Sequence, residues 1–148
     1  RSVWMSQIIK LCWGVTIWCL AIGFASAASP LGNWTTIDDV TGKKRAVVRI
    51  SQARDNTLNA TIVRVYAQPG DINKCHKCSG RFKNKPIIGL PFGWGFKQTA
   101  ANKWTGGRIL DPKTGKIYHA QMTLKDNKLY VRGYIGISLI GRTQTWVR

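Results

Sequence analysis

The chain has 148 residues, with 23 Lys plus Arg against six acidic side chains and a formal net charge of +17. That length holds one domain and leaves little room for a second. The charge draws anions and anionic surfaces but says nothing about fold. All six acids are Asp and there are only two His, which leaves few groups for general acid–base chemistry. A non-enzymatic protein without cofactor is expected.

In chain order, residues 1–27 read as a signal-peptide helix. Arg1 and Lys10 form the basic flank, Leu11 to Phe24 the apolar run, and Ala25-Ser26-Ala27 the small residues for cleavage after Ala27 or Ala28. Met5 is a candidate start. A membrane anchor competes with this reading, but an apolar run of about 14 residues is short for a span. Neither Cys12 nor Cys19 follows the small residue of a lipoprotein signal, so no lipid anchor is expected. Cleavage would leave residues 28–148 as one β-barrel domain. Loss of Arg1 and Lys10 takes the basic count from 23 to 21 against six Asp, a net charge of about +15. The expected location is periplasmic or secreted. There the polyanions on offer are phospholipid head groups, lipopolysaccharide and acidic wall polymers, and nucleic acid is expected only if the leader goes unused.

From Ser29 onward strand and turn residues alternate at intervals of about ten, the pattern of a barrel or sandwich. Leu31 to Ile37 is the first strand, and Asp38 to Lys43 its turn. Arg45 to Ser51 is the second, with Ala46, Val48 and Ile50 on one face. Leu58 to Tyr66 is the third. Its parity changes midway, and a bulge near Ile62-Val63 would turn Val63 and Val65 inward. Ala67 to Lys85 is irregular, and a loop that long is usually functional or pinned. Pro86 to Leu90 is a short apolar run that reads as a fourth strand, whereas Pro91 to Phe96 is aromatic and glycine-rich with no clear period.

Trp104 to Trp146 then forms a four-strand meander. Asp111-Pro112-Lys113-Thr114-Gly115 and Lys125-Asp126-Asn127-Lys128 are its turn chemistry. Tyr118, Ala120, Met122 and Leu124 make one inward row; Leu129, Val131, Gly133 and Ile135 make the next. Gly133, Gly136 and Gly141 allow sharp bends for closure. About eight strands fit an all-β, antiparallel up-and-down barrel, with a sandwich as the competing architecture. A monomer is expected.

Three chemistries compete at Cys75-His76-Lys77-Cys78. A disulfide comes first, given an oxidising destination and two surviving cysteines. It would stabilise by roughly 2 kcal/mol and pin the lysine-rich loop. A thiol-redox pair is second, favoured by the flanking Lys74, His76 and Lys77 but lacking a helix N-terminus. Zinc is third: only His76 and His119 could join the cysteines, without a second spaced pair, so no metal is expected. The six Asp fall in turns and read as backbone caps. Phe92, Trp94 and Phe96 form a candidate ligand mouth with Arg81 and Lys97 beside it, an arrangement suited to an acidic amphiphile. The leading expectation is thus an exported binding barrel for an acidic amphiphile or an envelope polyanion such as anionic lipid or glycan. The alternatives are a structural or stress-linked envelope protein without a small ligand, and a thiol-redox accessory factor.

Gly32-Asn33-Trp34 resembles the Gly-x-Trp signature of lipocalin-like (calycin) barrels. That resemblance implies a Trp34 packed across the barrel bottom beneath a basic residue from a late strand, a role Arg142 could fill by a cation–π contact. Gly32, Trp34 and Arg142 are therefore the expected barrel-closing residues. A second resemblance spans the whole mature chain. Gly32-Asn33-Trp34, Cys75-x-x-Cys78, Pro86-Ile87-Ile88-Gly89, Trp104-x-Gly106-Gly107, Asp111-Pro112-x-x-Gly115-Lys116-x-Tyr118, Arg132-Gly133-Tyr134 and Gly141-Arg142-Thr143-Gln144-Thr145-Trp146 follow in order. Together they resemble the secreted bacterial family catalogued as domain of unknown function 2147. It implies a calycin-type barrel in the envelope and no transferable activity.

Overall fold

The computed structural model describes residues 28–134 and 141–148. The leader, and Ile135 and Gly136 of the meander, lie outside the described residues. Eight strands follow: β1 Gly32–Ile37, β2 Lys44–Gln52, β3 Leu58–Val65, β4 Gly93–Ala100, β5 Lys103–Leu110, β6 Ile117–Lys125, β7 Lys128–Tyr134 and β8 Gly141–Val147. Each pairs antiparallel with the next, and β8 returns to β1, so the sheet closes into a barrel. The expected up-and-down barrel is what forms, and the sandwich is excluded.

Alternation explains most of the wall. Met122 faces Val131 and Leu124 faces Leu129 across β6 and β7, and all four side chains are buried. The link between these strands is a two-residue turn in which Asp126 and Asn127 both take positive φ, 51° and 58°, the twist that tight hairpins prefer. The parity change in β3 is also real. Val48 pairs with Ile62 and Val47 with Arg64, which leaves Val63 as the unpaired bulge residue. Val65 packs against the core as expected, but Val63 does not join it.

The fourth strand is elsewhere than its sequence suggested. Pro86 makes only an isolated bridge to Lys74, and β4 begins at Gly93. Pro86 to Leu90 instead runs beside β3, with the Ile62 N–H donating to the Leu90 carbonyl at 3.0 Å and the Gly89 N–H to the Ile62 carbonyl at 2.7 Å. Prolines at 86 and 91 prevent a continuous ladder there.

Up-and-down connectivity sorts the connections to two ends. The β2–β3, β4–β5 and β6–β7 turns close one end over Trp34, Leu58, Phe96, Trp104 and Leu129, all buried. The Phe96 ring lies on Gly107, where a Cβ would meet it at 2.5 Å, so glycine at that position makes room for the ring. The β1–β2, β3–β4 and β5–β6 connections surround the opposite end. Here the β3–β4 connection is held by the Cys75–Cys78 disulfide, with Cα atoms 5.3 Å apart. The loop also has a core of its own, contrary to its lysine-rich sequence: Cys75, Cys78, Phe82, Ile87 and Leu90 are buried.

Candidate functional site

The mouth end holds a cavity of about 700 Å³, within the range of small-molecule sites. Its wall is aliphatic and aromatic, drawn from inward positions such as Val48, Ile62, Val65, Phe92, Val131 and Trp146. Phe92 and Trp146 lie with ring centroids 6.1 Å apart.

Charged residues gather at the opening. Asp38, Asp39, Asp71 and Asp111, four of the six Asp in the chain, line it together with Arg45, Lys113 and Arg142. The carboxylates are already engaged. Asp38 accepts from the Val40 and Thr41 N–H groups at 2.8 and 3.0 Å, and Asp111 from the Lys113 N–H at 3.0 Å. Asp39 pairs with Arg142 at 2.9 Å. Asp71 accepts from the Gln68 N–H at 2.8 Å and from Arg45 Nη2 at 3.2 Å. The Thr41 and Val40 N–H groups hold the Asp38 carboxyl below its ordinary range. The Gln68 N–H, then Arg45, do the same for Asp71. Capping of turns is therefore the role of Asp38, Asp71 and Asp111, as the sequence suggested, whereas Asp39 serves in an ion pair with Arg142.

Arg45 stands apart. Its other terminal nitrogen, Nη1, is buried with no hydrogen-bond partner. An unsatisfied buried donor costs about 1–3 kcal/mol, and more when charged. A ligand acceptor in the cavity would relieve that cost.

The sequence placed the ligand mouth on five residues, and the structure separates them. Phe92 lines the cavity. Phe96 is fully buried toward the closed end, on Gly107. Trp94 is stacked on Phe82 with centroids 5.5 Å apart, and the Arg81 guanidinium lies 4.6 Å from the Phe82 ring and 5.3 Å from Trp94. Lys97 is exposed on β4. Trp94, Phe96, Arg81 and Lys97 are thus corrected out of the cavity, because Gly95, at φ 74°, breaks the alternation of β4 and sends Trp94 and Phe96 to different faces. Arg45, Asp71 and Asp39 were missed. Arg45 and Asp71 meet across 26 residues of sequence, a pairing that no local pattern signals.

The barrel-closing assignment needs one correction. Trp34 is buried, and its indole N–H donates to the Pro30 carbonyl at 2.7 Å. The cation over its ring is Arg148, at 4.3 Å, not Arg142. Six residue steps of extended chain, about 20 Å, separate the two arginines. Arg142 starts β8 at the mouth, whereas Arg148 follows its other end and also donates to the Ser29 carbonyl at 3.0 Å and to Asn127 Oδ1 at 2.9 Å. Gly32 enters β1 at φ 113°.

At the staple, Cys75 and Cys78 are 0% and 4% exposed. Reactive cysteines occupy accessible electropositive sites, so this burial suits a structural bridge. The Asp111–Lys116 turn packs directly on it. Gly115 takes φ 76°, and a Cβ there would clash with the Lys77 carbonyl oxygen.

Residues 32–148 match the family model described as "Uncharacterized protein conserved in bacteria (DUF2147)". Among solved structures the chain is similar to protein HP1028 of the human pathogen Helicobacter pylori, described as belonging to the lipocalin family. The TM-score is 0.70 at 18% identity, over 82% of this chain and 83% of that one, a likeness of fold. Among curated proteins none matches.

Proposed function

We propose that this chain, which belongs to the DUF2147 family of uncharacterised bacterial proteins, holds an acidic amphiphile in its barrel. The unpartnered Arg45 Nη1 at the opening of an aliphatic cavity carries the reading. The ligand's carboxylate or phosphate accepts from that donor, a charge-assisted hydrogen bond, and its hydrocarbon fills the space toward Trp146. Asp71 fixes the guanidinium from the other side. Lining groups with reactive geometry are not needed for this role, so the reading is of a binder and not a catalyst. Cleavage of a leader at residues 27–28 would put it outside the cytoplasm, where lipid-derived acids are at hand.

Native mass spectrometry of the protein from its own producing cells should reveal a bound lipid-derived acid. Titration with a long-chain fatty acid should give one site per chain. Arg45→Met should weaken that acid at least about tenfold, the scale of a lost charged hydrogen bond, while leaving the corresponding neutral alcohol nearly unaffected. Equal losses for acid and alcohol would remove Arg45 as the head-group anchor. No binding of either would remove the carrier reading.

A further inference from the structure

The mouth end exposes more aliphatic surface than a hydrated rim needs. Val40 is 78% exposed, Ile88 62%, Ile117 49% and Ile72 37%. Val40 lies in the β1–β2 turn, Ile72 and Ile88 in the β3–β4 connection, and Ile117 at the start of β6. An up-and-down barrel brings those connections to one end, so the four belong to the end that holds the cavity opening, which Ile72 lines. Among the described residues the other exposed large hydrophobic is Leu31, beside the closed end. The same end presents exposed Lys43, Lys74, Lys77, Lys113 and Lys116 from these connections and Lys44 from the start of β2. The four Asp of this end offset only part of that charge: the six lysines with Arg45 and Arg142 make eight cations against four carboxylates, which leaves the rim at about +4.

We propose that this rim docks on an anionic phospholipid bilayer, its lysines among the head groups and its aliphatic tips in the interface. Basic charge and shallow apolar burial act together at such surfaces, each being weak alone. A hydrated acidic glycan would complement the lysines but give Val40 and Ile88 nothing to enter, so the aliphatic tips select the bilayer. Docking in this orientation turns the cavity opening toward the membrane, a source of acyl-bearing ligands. It does not require the cavity to be filled.

The test is co-sedimentation of the purified protein with vesicles of mixed phosphatidylglycerol and phosphatidylcholine, and with phosphatidylcholine alone. Binding should need the anionic lipid and fall with added salt. Lys113→Gln and Lys116→Gln should each lower partitioning about fivefold. Val40→Ser or Ile88→Ser should lower it about tenfold. The closed-end pair Lys125→Gln and Lys128→Gln should change it by about twofold at most, and unfolding curves on these exposed variants confirm that each is folded. Fatty-acid titration in vesicle-free buffer, run on the same variants, keeps cavity binding separate from docking. Absence of sedimentation with anionic vesicles overturns the proposal, as does an equal loss from the closed-end pair. Unchanged binding by both serine variants also overturns it, showing a rim that reads charge alone, as an acidic polymer would require.

Discussion

The two ends of the barrel are built from different physics. The closed end is stabilised by buried volume: Trp34, Trp104 and Phe96 are buried, and Arg148 lies over the Trp34 ring. The mouth end is held by hydrogen-bonded turns, a disulfide and two ion pairs, Arg45–Asp71 and Asp39–Arg142, and it keeps space open between them. The seams show the same division. β1 and β8 pair only through Thr35–Val147 and Thr36–Trp146; toward the mouth, the Asp39–Arg142 ion pair instead ties the β1–β2 turn to β8. One end can therefore specify the fold while the other is free to specify a ligand.

That division can be broken from either side. The largest effect is expected from Trp34→Ala, which removes a buried indole and its contact with Arg148. It should cost about 3–5 kcal/mol in denaturant unfolding. Gly107→Ala follows, because the added methyl meets the rigid Phe96 ring; such overpacking costs about 1–3 kcal/mol. Both lesions should lower the midpoint of the whole cooperative transition. Replacing Cys75 and Cys78 by Ser should cost roughly 2 kcal/mol on the loop-entropy account, but hydrogen exchange should locate the loosening in residues 66–92. Equal loosening of the whole barrel would mean that the two ends are not separable.

The smallest effect is titration of Asp71. Its folded pKa lies below its unfolded value, so its contribution is fully present above the unfolded pKa and is lost as pH falls through the folded one. Acidification below the ordinary carboxylate range should therefore free Arg45 and the 66–92 connection before the closed end responds. Asp71→Asn should abolish that early change, read by hydrogen exchange against pH. Asp55 is also held low, chiefly by the Thr57 hydroxyl. It caps the β2–β3 turn at the other end, so its titration should appear in that turn instead.

Much of the wall was legible because the signals are local. The row Ala120, Met122, Leu124 and the turn at Asp126-Asn127 need only period-two alternation and the φ tolerance of Asp and Asn. The bulge at Val63 shows as a parity change within a few residues. β4 was not legible. Gly93 and Gly95 interrupt its side-chain alternation, and the neighbouring apolar run at Pro86–Leu90 imitates a strand while its prolines forbid the ladder. The cavity was only partly legible for a related reason: of the aromatic cluster that suggested a mouth, Phe92 lines the cavity, Trp94 stacks on Phe82 and Phe96 is buried at the closed end.

The chain's own order of apolar, polar and turn residues thus determined an antiparallel closed sheet and the positions of most strands. Only the tertiary structure decided which end closes, that Arg148 and not Arg142 covers Trp34, and that Arg45 meets Asp71 at an open cavity. Alternation and turn preference act over a few residues of backbone, whereas these contacts join side chains far apart in sequence: Arg45 meets Asp71 across 26 residues, and Arg148 reaches Trp34 only when β8 returns to β1.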